Sequence, residues 1–76
     1  MTLIAGNKVT LRKRRSLRNA EDMEWGAVPA GATGEILSIE ETYGKQWASI
    51  RWMLNDSPMD DQIIEDDWES YLESCD

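Results

Sequence analysis

Histidine is absent from this chain. That removes the commonest general base near neutral pH and the commonest metal ligand. No Ser-His or Cys-His nucleophile can be assembled within one copy, and neither a P-loop nor a GxGxxG occurs. Cysteine is nearly absent. Cys75 stands alone, so there is no disulfide framework and no second thiolate for zinc. Its place one residue from the end reads as an exposed tail thiol, open to intermolecular pairing in oxidising conditions. Long apolar runs are missing, and nothing approaches the ~20 residues that cross a bilayer. The first five residues are too short for a signal-peptide h-region, and positive charge follows them instead of preceding them. These absences lead to the expectation of a cytoplasmic, non-catalytic protein that needs no cofactor and no metal.

Positive charge is scarce, and it is confined to part of the chain. The 76 residues carry a net charge of −7. Lys8, Arg12, Lys13, Arg14, Arg15 and Arg18 form a basic run that no acid interrupts. After Arg51 no positive residue follows, while Asp56, Asp60, Asp61, Glu65, Asp66, Asp67, Glu69, Glu73 and Asp76 make an acidic segment. An acidic balance repels phosphate, so nucleic acid is not the expected partner. The basic run lacks the interleaved aromatics that single-strand stacking needs. It is better read as facing the acids across neighbouring strands.

Turn and strand signals dominate the rest. Val9 and Leu11 alternate with Thr10 and Arg12, the period of a half-buried strand; this first strand is expected to end by Leu17. Residues 18–32 read as a long polar loop, with one helical turn over residues 20–25 and packing supplied by Met23, Trp25 and Val28. Pro29 fixes its own φ and extends Val28, and Gly31 or Gly34 can take positive φ in a turn or bulge. A strand over residues 35–40 follows. Residues 41–45 close a hairpin with Gly44 in the left-handed position. The returning strand over residues 47–54 puts Ala48, Ile50, Trp52 and Leu54 on one face. Trp47, Ser49, Arg51 and Met53 lie on the other, and the uncharged set is the core face. Residues 55–58 form a turn, residues 62–65 a short strand, residues 66–69 one helical turn capped by an Asp, and Tyr71-Leu72 a last short strand. Residues 1–76 thus form a single all-β domain, a small closed barrel of four or five strands.

This order resembles an SH3-like barrel. The resemblance rests on Gly6-Asn7-Lys8-Val9-Thr10-Leu11, on Pro29-Ala30-Gly31-Ala32-Thr33-Gly34-Glu35-Ile36, and on Ala48-Ser49-Ile50-Arg51-Trp52. Ile64-Glu65-Asp66-Asp67-Trp68 is similar to the closing turn of such barrels, which implies Trp68 as the apolar plug of one end. Gly34-Glu35-Ile36-Leu37 and Ile50-Arg51-Trp52 also resemble segments of small accessory subunits such as the O subunit of the photosynthetic NADH dehydrogenase-like complex. The loop over residues 18–30 and the acidic tail depart from that pattern. The resemblance implies an accessory or regulatory subunit of a larger assembly.

Four tryptophans are many for this length. Trp52 and Trp68 read as core. Trp25, Tyr43, Trp47 and Arg51 combine aromatic and Arg chemistry that is favoured at protein interfaces, and they are the candidate partner-binding residues. The competing reading has Trp25 folded back over a barrel end and Trp47 packed under the long loop. Asp60, Asp61, Glu65, Asp66 and Asp67 form the candidate acidic surface, which steers a basic partner. The alternative function is a small acidic inhibitor or nucleic-acid mimic, of the kind phages and mobile elements encode, binding a basic target surface. The carboxylates of Asp56, Asp60, Asp61, Asp66 and Asp67 suit calcium, but no Asp-x-Asp-x-Asp-Gly loop holds them. Glu40 and Glu41 are a carboxylate pair that ordinary surface composition explains.

Overall fold

The computed structural model describes residues 1–55 and 57–75, with the side chain of Cys75 excepted. The exposed-thiol expectation for Cys75 and the contributions of Asp56 and Asp76 to the acidic segment therefore lie outside the described residues. Among the described residues the strands are β1 (Lys8–Leu11), β2 (Arg15–Arg18), β3 (Glu24–Val28), β4 (Thr33–Thr42), β5 (Lys45–Met53), β6 (Met59–Ile64) and β7 (Leu72–Cys75). A 3-10 turn (Glu65–Asp67) leads into the short helix α1 (Trp68–Tyr71) just before β7. Neither turn nor helix is capped by a side chain, unlike the expected Asp cap.

The strands form a five-stranded antiparallel sheet in the order β6-β5-β4-β1-β7 and a separate two-stranded hairpin, β2-β3. The protein is mostly β, as expected, but the sheet is not a closed barrel. β6 and β7 are its two edges, with no ladder between them among the described residues. The reason lies in the chain after Leu11. The first strand ends at Leu11, inside the expected limit of Leu17, and Arg15–Arg18 turns away to pair with Glu24–Val28. Two edges follow, and long cationic side chains cover part of each. Arg12 Nε donates to the Leu72 carbonyl on β7 at 2.9 Å, and Arg15 Nη2 donates to the Gln62 carbonyl on β6 at 3.2 Å. Such coverage blunts a strand edge against unwanted pairing.

The expected long loop is largely this hairpin, and residues 20–25 contain no helical turn. Its tip is ordered by Asn19, not by side-chain packing. Asn19 Oδ1 accepts from the amides of Glu21 and Met23 at 2.9 and 3.0 Å, an Asx-type use of a short polar side chain. Of the three residues expected to pack the loop, Val28 is buried but Met23 and Trp25 are exposed.

One core lies between the sheet and the hairpin. Val9, Leu11, Ile36, Ala48, Ile50, Trp52, Ile63 and Leu72 come from the sheet, Leu17 and Val28 from the hairpin, and Trp68 from α1. The expected core face of β5 is met at Ala48, Ile50 and Trp52, while Leu54 packs only partly against it. Gly31 takes positive φ at the turn before β4. Gly34 does something different. A Cβ there would lie 2.7 Å from both Ile50 Cγ2 and Trp52 Cε3, so the missing side chain is what lets Trp52 cross β4. Tyr43 and Gly44 both have positive φ, 52° and 76°, in the two-residue turn joining β4 to β5, which matches the right-handed twist of the strands it joins.

Two bulges re-aim side chains. In β4 the pairing steps from Ile36↔Ile50 to Ser38↔Ser49, leaving Leu37 extra; in the hairpin it steps from Leu17↔Gly26 to Arg18↔Glu24, leaving Trp25 extra. A bulge bends its strand and changes which face the following residues use.

Candidate functional site

Trp47 sits on the outer face of β5, paired with Glu40 on β4 and Ile64 on β6. It is half-buried and borders two recesses. The first, about 470 Å³, lies between the β2-β3 hairpin and the β5-β6 part of the sheet, and Trp25, Trp47, Arg15, Arg18, Asp60 and Gln62 help to line it. The second, about 340 Å³, lies on the β4-β5 arm, and Glu40, Tyr43, Lys45, Trp47 and Gln62 help to line it.

The geometry of Trp25 follows from its bulge. As the unpaired residue of β3 it is 58% exposed, presenting its indole to the first recess instead of folding over the core. The hairpin is held in place by a side chain from the acidic segment. Asp61 Oδ2 accepts from Arg15 Nε at 2.6 Å and from the Trp52 indole Nε1 at 3.3 Å. The Asp61 side chain is only 7% exposed. It is therefore a structural anchor more than a piece of acidic surface. One further contact fixes the base of the hairpin: Lys13 and Arg15 stand 4.6 and 4.9 Å from the centre of the Tyr71 ring.

The other candidate residues are placed as follows. Tyr43 is fully exposed at the hairpin tip, in the second recess with Trp47. Arg51 shares the outer face of β5 but borders neither recess; it holds Asp60 through two hydrogen bonds, 2.8 and 3.2 Å. Glu65, Asp66 and Asp67 lie together in the 3-10 turn, with Asp66 3.3 Å from Lys45. The basic run and the acidic segment meet directly at Arg15 and Asp61; Arg14 and Arg18 instead pair with Glu24 and Asp22 inside the hairpin. Sequence reasoning passed over Arg15, Arg18, Gln62 and Glu40 as site residues. For Glu40 no sequence signal serves, because the bulge at Leu37 inverts the inside-outside alternation and turns Glu40 onto the Trp47 face.

Among the described residues two carboxylates have depressed pKa values. Asp60 is held below the ordinary carboxylate range by hydrogen bonds from Arg51, whose own pKa is raised in return. Glu24 is lowered by a hydrogen bond with Ser16 and then by Arg14. A depressed carboxylate contributes stability that is present above its unfolded pKa and lost as pH falls through the lower folded value. Both pairs are exposed, so that contribution is small. The expected result is carboxyl NMR titrations of Asp60 and Glu24 with midpoints below their ordinary values, and a return of Asp60 toward normal in Arg51→Gln. An unmoved Asp60 midpoint in that variant would contradict the pairing.

No group of three or more His, Cys, Asp or Glu side chains is placed to share a metal ion among the described residues, and none of their helices is long and apolar enough to cross a membrane. No protein-family model, curated protein or solved structure matches the chain.

Proposed function

We propose that this chain is a non-catalytic protein-interaction module, an accessory or regulatory subunit built on an SH3-like sheet. In support of the fold, β4, β5 and β6 form a meander, β1 pairs with β4, β7 returns beside β1 after a 3-10 turn and α1, and a hairpin fills the long connection after the first strand. The functional reading is carried by one observation. The exposed indole of Trp25 and the half-buried indole of Trp47 face a common recess between the hairpin and the sheet. Large aromatic surface in a concave site, with charged groups at its rim, is the chemistry of a binding hot spot. The occupant is a segment of a partner protein laid between hairpin and sheet. The nucleic-acid mimic is a weaker reading, because Asp60, Asp61 and Asp66 already hold cations of this same chain.

The test is affinity capture from native lysate with the wild type and with Trp25→Ala, Trp47→Ala. Neither indole belongs to the buried core, so the variant is expected to remain folded by circular dichroism and to lose its partners. Undiminished capture would overturn the reading, as would binding that depends on the acids of residues 60–73 and collapses with salt.

A further inference from the structure

We infer that the recess on the β4-β5 arm receives an arginine side chain of the partner segment, stacked against Trp47 and Tyr43 and paired with Glu40; this rests on the proposed interaction function. The inference comes from how charge is distributed between the two recesses. In the first, both carboxylates are already satisfied: Asp60 by Arg51 and Asp61 by Arg15. The second holds a carboxylate that is not. Glu40 is exposed, and no cation lies within ion-pair distance of it among the described residues. Lys45 lines the same recess, but its ammonium lies 3.3 and 3.4 Å from the two Asp66 oxygens.

Aromatic surface accompanies that carboxylate. Trp47 is the strand partner of Glu40, and Tyr43 stands fully exposed three residues along the same arm. A ring face attracts a cation through its quadrupole, and indole does so most strongly. A guanidinium adds a flat surface that stacks on the ring and a fork that matches a carboxylate, which a lysine ammonium lacks. The net charge of −7 favours the approach of a basic segment to the molecule as a whole. Trp47 borders both recesses, so one extended segment can place an apolar side chain beside Trp25 and an arginine beside Glu40.

The probe is an acetylated, amidated glycine–arginine–glycine peptide, titrated at millimolar concentration and followed by NMR at the Trp47 indole N–H and the Tyr43 ring. The control peptide carries citrulline, which is nearly isosteric and uncharged. The arginine peptide is expected to shift both signals and the citrulline peptide neither. Glu40→Gln should weaken the response by up to about fivefold, the size of one exposed ion pair. Glu41→Gln removes the same charge from the opposite face of β4, paired with Gln46, and should leave the response unchanged. Tyr43→Gly removes the ring at a position whose φ of 52° glycine tolerates, and should weaken the response without unfolding the arm. Equal shifts from citrulline, equal loss in Glu41→Gln, or no arginine shift would each overturn the inference. The two readings fail separately. Trp25→Ala is expected to reduce partner capture and to leave the arginine titration intact. A lost titration with intact Trp25-dependent capture removes the arginine recess alone.

Discussion

Trp68→Ala is expected to lower the stability of the domain by about 3–5 kcal/mol, the usual cost of truncating a fully buried tryptophan. Trp68 is 2% exposed, and its indole Nε1 donates to the Ile63 carbonyl at 2.8 Å. The residue opens α1, its indole bonds the end of β6, and it shares the core with Leu72 at the start of β7, so it helps to hold together two edges that no ladder connects among the described residues. Removing it leaves a cavity and takes a donor from the Ile63 carbonyl. A domain of this length has a total stability of about 4–11 kcal/mol, so the loss is a large fraction of the whole. Trp68→Phe keeps most of the apolar contact and loses the hydrogen bond, so a smaller loss of about 1–2 kcal/mol is expected. Urea unfolding followed by circular dichroism separates the two. A loss under about 1 kcal/mol in Trp68→Ala, the range of an average substitution, would mean that the ring does not join these edges.

The tryptophans also show which parts of this structure can be read from sequence. Trp52 was legible as core from its alternation with Ile50, and Trp68 through the likeness of Ile64-Glu65-Asp66-Asp67-Trp68 to the closing turn of a small barrel; both side chains are buried. The alternation across β5 is direct evidence of one face, and the structure follows it from Ala48 to Trp52. The Tyr43-Gly44 turn was legible because few residue pairs suit its backbone. The hairpin β2-β3 was not. Its strands are four and five residues long, rich in charge, and interrupted by a bulge, so neither periodicity nor propensity marks them. What fixes them is long-range: Leu17 and Val28 reach the common core, and Arg15 reaches Asp61. The same limit hid the site. Trp25 and Trp47 were visible as unusual residues, but their shared recess depends on where the hairpin docks. Glu40 was hidden because an extra residue at Leu37 shifts the register by one, and a period-two reading carried through the bulge assigns it to the wrong face. Acidity was legible as composition, whereas the division between Asp61, turned inward, and the exposed Asp60 required the fold.

Asp61→Ala is expected to cost about 2–4 kcal/mol, somewhat less than a fully buried broken ion pair because Arg15 keeps some access to water. One carboxylate oxygen of Asp61 accepts from both Arg15 on β2 and the indole of Trp52 on β5. Its removal takes the charge partner from a guanidinium that is 17% exposed, leaving it the Gln62 carbonyl and the Tyr71 ring, and leaves the Trp52 indole N–H without that acceptor, which is what makes the loss large. Asp61→Asn retains an acceptor for the indole while giving up the charge, so an intermediate loss is expected. In Asp61→Ala, Arg15→Met the stranded cation is gone, and part of the stability should return; the double variant is expected to lose less than the two single losses added together. The structural consequence is local before it is global. Because this pair joins the hairpin to the sheet, amides of β2 and β3 are expected to lose hydrogen-exchange protection in Asp61→Ala to a greater degree than amides of β4 and β5. The recess between Trp25 and Trp47 depends on that docking, so partner capture should fall in Asp61→Ala even under conditions where the sheet remains folded. Uniform loss of protection across all strands would instead show that the hairpin and the sheet unfold as one unit and that Asp61 supports the whole domain, not the position of the hairpin.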